Sequence, residues 1–211
     1  MTTAKREFLS PRAALEHARK INFSDAPKGK LFNDSRLRNP LEQYWCAGMF
    51  GLGYEQRVKR TCLVAPNPDV NNDRRDADFF ALLSDKEHAF QVVEAMTPGR
   101  LRGKEYKQLQ RTGHLQTDYD PERGHIEGAQ WIAGRVAEKA AIRYAGADNL
   151  HLVVNANFSA RGLEYGKIVE ATRPYRGEFA SIWVLADGLL CTAHSNSDIG
   201  FIEGWGIIEN V

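Results

Sequence analysis

Cysteine is scarce in this chain. Cys46, Cys62 and Cys191 are scattered and odd in number, which excludes a disulfide framework and points to a reducing, cytoplasmic setting. The C-x-x-H at 191–194 has no second ligand pair, so it is not read as a zinc site. Long apolar runs are also missing. No segment approaches the length needed to span a bilayer, so no membrane partner is expected. The first residues, "MTTAKREFLSPR", lack an apolar signal core, so no export signal is expected either. There is no internal repeat and no low-complexity tract. A strong charge of one sign is absent, the formal net charge being +1, which on its own suggests no polyanionic partner. The distribution says more. Residues 1–40 hold nine Lys/Arg against four Asp/Glu, and "PGRLRGKEYKQLQR" at 98–111 holds five basic residues against one acid. A run of that kind is ordinarily a solvated face.

What is present suffices for a folded domain. The chain has 211 residues, 43% hydrophobic and 26% charged, enough for one sizeable core. Residues 1–38 read as a peripheral arm with one short helix, "SPRAALEHARKI", with Ser10 as N-cap and Pro11 at its first position. A single domain then spans 39–211. It opens with the helix "NPLEQYWCAGMFGLG", in which Asn39 caps, Pro40 opens and Glu42 completes a capping box. Gly51 and Gly53 end that helix. "EQRVKRTCLVAP" reads as a strand, "PNPDVNNDRRD" as a long loop and residues 76–96 as a hairpin. "IEGAQWIAGRVAEKAAIRYAG" is a helix with Ile132, Val136 and Ala140 inward. "NLHLVVNANF" is a buried strand and "EYGKIVEATRPY" a helix stopped at Pro174. "FASIWVLADGLLCTAH" gives a strand, an Asp-Gly turn and a second strand. Three successive strands, a crossover helix and a further strand make an α/β (α+β) fold, a mixed central sheet flanked by helices.

The hairpin carries the functional argument. A loop of three residues (85–87) or of five (84–88) gives the same register, with partner numbers summing to 172. Phe80 then faces Val92, Leu82 faces Phe90, and Asp78 falls opposite Glu94 on the same sheet face. Two carboxylates that close repel by about 1 kcal/mol in water and several times more where water is scarce. A divalent cation compensates such a pair, since Mg²⁺ is held by one or two carboxylates plus substrate oxygens. The competing reading leaves both acids at solvated strand ends. A structure placing them on opposite faces removes the paired metal site, because a one-residue slip carries one of them across the sheet.

The element order, with an Asp on the second core strand and a Glu on the third, resembles the restriction-endonuclease-like, or PD-(D/E)XK, superfamily over roughly residues 39–158. The resemblance implies a restriction-endonuclease-like core and metal-dependent cleavage of DNA or RNA phosphodiesters, with Mg²⁺ (or Mn²⁺) as cofactor and DNA ahead of RNA as partner. It makes Asp78 and Glu94 the motif acids. The motif lysine is missing, because Met96 stands at its position. Members of the superfamily carry the basic residue on the following helix instead, and Lys139, bordering the inward stripe, is placed for that. Arg135 and Arg143 are the substitutes. The first core helix often adds an acid, for which Glu42 and Glu55 are candidates; Glu42 already has a capping role, so Glu55 joins Asp78 and Glu94 as the expected metal ligands. Gln91 falls on the strand face opposite Glu94 and so outside that site. Arg100, Arg102, Lys104, Lys107 and Arg111 would hold the polynucleotide backbone.

Met96 and the near-neutral charge support a different reading, a catalytically inactive nuclease-fold protein that binds nucleic acid or protein. A homodimer is open in either case. A small-molecule enzyme using His114, His125, His151 or His194 ranks last, because these histidines share no motif spacing.

Overall fold

The structure, a computed structural model, describes residues 6–22, 35–67, 77–100, 105, 108, 111–112, 121–142, 144, 149–158 and 162–210. Its centre is one mixed sheet of seven strands whose spatial order follows the sequence. The strands are β1 (Cys62–Pro66), β2 (Phe79–Leu83), β3 (Lys86–Met96), β4 (Leu150–Asn157), β5 (Ser181–Ala186), β6 (Leu189–Ser195) and β7 (Gly206–Ile207). The pairs β3–β4 and β4–β5 are parallel and the others antiparallel. Parallel neighbours need a crossover. The helices α3 (Pro121–Ala140) and α4 (Tyr165–Thr172) lie in those two connections, and α1 (Pro11–Asn22) and α2 (Ser35–Val58) precede the sheet.

The helices cover both faces. On one side α1 and α2 bury an aromatic cluster of Phe50, Tyr54, Phe79, Phe90 and Trp183. On the other, α3 and α4 bring Ile132, Val136 and Ile168 against Val93, Ala95, Val154 and Val184. Strands covered on both faces read as continuous apolar runs, and every residue of β5 is buried. Among the described residues no helix is long and apolar enough to cross a membrane.

Several boundaries differ from the sequence reading. Ser10 does cap α1, its Oγ accepting from the Ala13 N–H at 3.2 Å. That helix is not peripheral, however, because Ala14, Leu15 and Ala18 are buried. The segment before it is also built in: Leu9 and Val64 exchange two backbone hydrogen bonds of 2.8 Å along the outer edge of β1. Helix α2 begins four residues before Asn39, so Pro40 lies inside it and Glu42 is not a capping-box residue. It also runs through Gly51 and Gly53 to Val58, leaving β1 only five residues. The glycines act in packing. A Cβ on Gly48 would sit 2.7 Å from Leu15 Cγ, and one on Gly51 2.8 Å from Pro11 Cγ, so α1 can lie against α2 only where these side chains are absent. Glu209 is fastened to the same helix. Gln56 Nε2 donates to the Glu209 carbonyl at 2.9 Å, and its Oε1 accepts from the Glu209 N–H at 2.8 Å.

Candidate functional site

The hairpin turn fixes the site. Ser84 and Asp85 both have positive φ, 49° and 67°, the conformation of a two-residue primed turn. Leu83 therefore pairs with Lys86, and Phe79 with Phe90, so partner numbers sum to 169 rather than 172. The polar run at 84–88 suggests a loop of three or five residues instead, and Ser-Asp lacks the glycine that usually marks a two-residue turn. The difference is odd, so the faces exchange. Phe79, Ala81, Leu83 and Phe90 enter the α1/α2 core and Val92 packs on it, whereas Val93 and Ala95 enter the α3/α4 core and Ala89 packs there. Phe80, paired with Ala89, lies on the α3 side of the hairpin, where the Arg6 guanidinium stacks over its ring at 3.6 Å. By this alternation Glu94 belongs to the α2 side, while Asp78 sits at a bend just before β2, its N–H bonded to Phe90 one residue off the ladder register, with Lys139 and Tyr144 within reach of its charge. The expected Asp78–Glu94 pair is not formed.

Asp78 instead completes the sheet. Strand β3 runs on past the start of β2, which leaves its next N–H groups without a strand partner. Asp78 donates its own N–H to the Phe90 carbonyl at 2.8 Å and accepts the Val92 N–H on Oδ2 at 2.6 Å. Burial pushes its carboxyl above the usual range, opposed by the Val92 N–H and the Lys139 ammonium and reinforced by the Glu42 carboxylate. Glu42, on α2, thus lies within electrostatic reach of Asp78. Glu55 does not serve there, since its Oε1 accepts the Cys62 N–H at 3.1 Å and holds the turn from α2 to β1.

Lys139 does reach the Asp78 side. From the last turn of α3 its Nζ donates to Gln91 Oε1 at 2.7 Å, and the same ammonium lowers the Asp78 pKa. Gln91 is 2% exposed. The sequence reading placed it opposite Glu94, which holds, and outside the site, which follows only from the wrong register. Tyr144 was missed entirely. It is 7% exposed, its hydroxyl has no hydrogen-bond partner among the described residues, and its ring centroid lies 6.0 Å from Lys139 Nζ. Burial, and after it the Asp78 charge, pushes its hydroxyl up to about 12. No sequence signal marked it, because Tyr144 itself lies in neither a helix nor a strand and so on no periodic stripe.

Glu94 has other company. Its Oε1 accepts from Asn157 Nδ2 at 2.6 Å, and its backbone carbonyl accepts from Arg135 Nε at 2.9 Å. Arg100 donates to the Asn157 carbonyl at 2.7 Å and is clasped by Glu105 at 2.5 and 3.1 Å, with both side chains largely buried. Its charge is therefore compensated internally. Arg111 is exposed. Arg102, Lys104, Lys107, Arg143 and His114 lie outside the described residues.

Two histidines do meet, at the other end of β3. His88 Nδ1 lies 3.1 Å from His151 Nε2, His151 Nδ1 lies 2.7 Å from Ser181 Oγ, and Trp183 Nε1 donates to that Oγ at 2.6 Å. An indole can only donate. With the Ser181 hydroxyl donating to His151 Nδ1 and the His151 Nε2–H donating to His88 Nδ1, each contact has one hydrogen and both imidazoles are neutral, the form that burial favours. His194 is separate, with Nε2 at 3.1 Å from the Val169 carbonyl.

The donor set does not fit the metal centre that the sequence suggested. Its two carboxylates are held by separate partners, Asp78 by the Val92 N–H and Glu94 by Asn157, its third member holds a helix end, and among the described residues no group of three or more His, Cys, Asp or Glu is placed to hold an ion. Comparison with protein-family models, with curated proteins and with solved structures finds no match.

Proposed function

We propose that this chain is a nucleic-acid-binding protein on a restriction-endonuclease-like scaffold, without a two-carboxylate hydrolytic centre. One observation carries the reading: the two-residue turn sets a register in which Asp78 and Glu94 are not cross-strand partners, and each carboxylate is engaged elsewhere, Asp78 by the Val92 N–H and Glu94 by Asn157. The element order supports the scaffold, since a helix, three antiparallel strands, a helix and a fourth strand parallel to the third follow in sequence. Lys139, set beside Gln91 and Asp78, supplies a cation where a phosphate could be received. DNA is the first partner to try, then RNA.

The test is binding against cleavage. Purified protein is titrated into labelled single-stranded and duplex oligonucleotides in EDTA, and assayed on plasmid with Mn²⁺ or Mg²⁺. Salt-dependent binding without cleavage is expected, along with a melting temperature that the metals leave unchanged. A metal bound at 100 times its Kd would add about 2.7 kcal/mol of stability, which a melting curve resolves. Metal-dependent cleavage abolished by Asp78→Ala overturns the reading. A hydrolytic alternative has one observation in its favour, the second carboxylate that Glu42 brings towards Asp78. That alternative requires cleavage lost in Glu42→Gln and retained in Glu94→Ala.

A further inference from the structure

A buried hydroxyl with no partner forfeits a hydrogen bond that water would have given it, so such groups are rare in native proteins and each calls for an explanation. Tyr144 is one. Its surroundings are not apolar throughout, because Lys139 Nζ lies 6.0 Å from its ring centroid and donates to Gln91 Oε1 at 2.7 Å. Asp78 faces the same region, with one carboxylate oxygen held by the Val92 N–H. A phenol and an ammonium are both donors, and a third species accepting from both would satisfy the first without removing the second.

We infer that Tyr144 and Lys139 together donate to one phosphoryl group, with Asp78 and Gln91 beside it. This deepens the nucleic-acid-binding reading and rests on it. Gln91 then releases Lys139 in part and can turn its own amide N–H to the ligand. Asp78 is the mismatched member, a carboxylate beside an anion. Its raised pKa fits this role, because a protonated Asp78 would donate to a phosphoryl oxygen where an ionised one would repel it. Lys139 and Val92 N–H favour the ionised form and Glu42 the protonated one. Phosphoryl binding therefore tightens as pH falls through the Asp78 pKa. The group can come from a backbone diester or from a chain terminus.

The experiment is fluorescence polarisation in EDTA with a single-stranded oligonucleotide bearing either a 5′-phosphate or a 5′-hydroxyl. Tyr144→Phe removes only the hydroxyl. It should weaken binding about tenfold, the loss of one good hydrogen bond, while the melting temperature of the free protein stays level or rises. Asp78→Asn should tighten binding and flatten its pH dependence. A preference for the 5′-phosphate assigns the site to a terminus, and equal affinity assigns it to the backbone. Unchanged affinity in Tyr144→Phe overturns the inference while nucleic-acid binding stands. A wild type that binds neither oligonucleotide overturns both. An Asp78→Asn variant that loses binding also refutes the inference, because that outcome makes the carboxylate an attractive contact.

Discussion

The buried histidine pair should make this fold acid-sensitive well above the range in which carboxylates titrate. His151 is 1% exposed, stacked on Phe90 at 4.8 Å and joined to His88 and Ser181. Burial first, then the closeness of the His88 imidazole and the Lys86 charge, pushes its imidazole down to about 3; His88 is lowered by burial and Lys86 and partly restored by Asp198. The unfolded chain binds a proton at His151 near pH 6.5 and the folded chain does not. Stability is therefore complete above about pH 7 and declines as pH falls from the unfolded value towards the folded one. One imidazole that stays neutral throughout removes about 2 kcal/mol between pH 7 and pH 5, set against a typical total of about 5–15 kcal/mol. Urea unfolding at pH 7, 6 and 5 measures this in wild type and in His151→Gln. The variant should be weaker at pH 7, having broken the relay, yet lose about 2 kcal/mol less on acidification. Comparing the two removes the contributions of the distant groups His194 and Asp78, the latter of which acts in the opposite direction because its pKa is raised. Equal pH slopes in the two proteins would refute the relay as drawn.

Three further outcomes are expected. Replacing Ser84-Asp85 with Asn-Gly, the pair that best tolerates two positive φ values, should raise stability by about 0.5–1 kcal/mol in a thermal melt; a loss would show that the longer-loop register forms instead. Gly48→Ala should destabilise by about 1–3 kcal/mol through overpacking against Leu15, although alanine is the better helix former by about 1 kcal/mol; a more stable variant would show that α1 does not lie where described. Glu55→Ala should cost about 1 kcal/mol of stability by leaving the Cys62 N–H without its acceptor, and should leave oligonucleotide affinity in EDTA unchanged.

The architecture was legible because its signals are local. The apolar runs of β3, β4 and β5, the inward stripe of Ile132 and Val136, and the Asp187-Gly188 turn each announce an element without reference to the rest of the chain. The site was less so, because it depends on register. Ser84 and Asp85 adopt left-handed backbone without glycine, and one turn residue more or less decides which carboxylate shares a face with Lys139. Lys139 itself was readable as the edge of a helix stripe, and its long stem reaches the expected side of the sheet. The role of Gln91 follows at once when the true register is used. Tyr144 and the partnership of Glu42 with Asp78 come from tertiary approach, which no spacing in the sequence encodes. The glycines of α2 misled for a similar reason. Gly51 looks like a helix end until Pro11 and Val64, far apart in the chain, are found pressed against it.

The sheet's strand order has a consequence for synthesis. Each strand pairs with the one made just before it, so the sheet can grow outward from β1 as the chain emerges from the ribosome, with little search among distant partners. The Gln56–Glu209 clasp breaks that pattern, joining residues 153 positions apart. It cannot close until residue 209 has been made. Until then the outer face of β6 and the end of α2 lack their last cover, and the nascent protein is most exposed to proteases and to other chains in that interval.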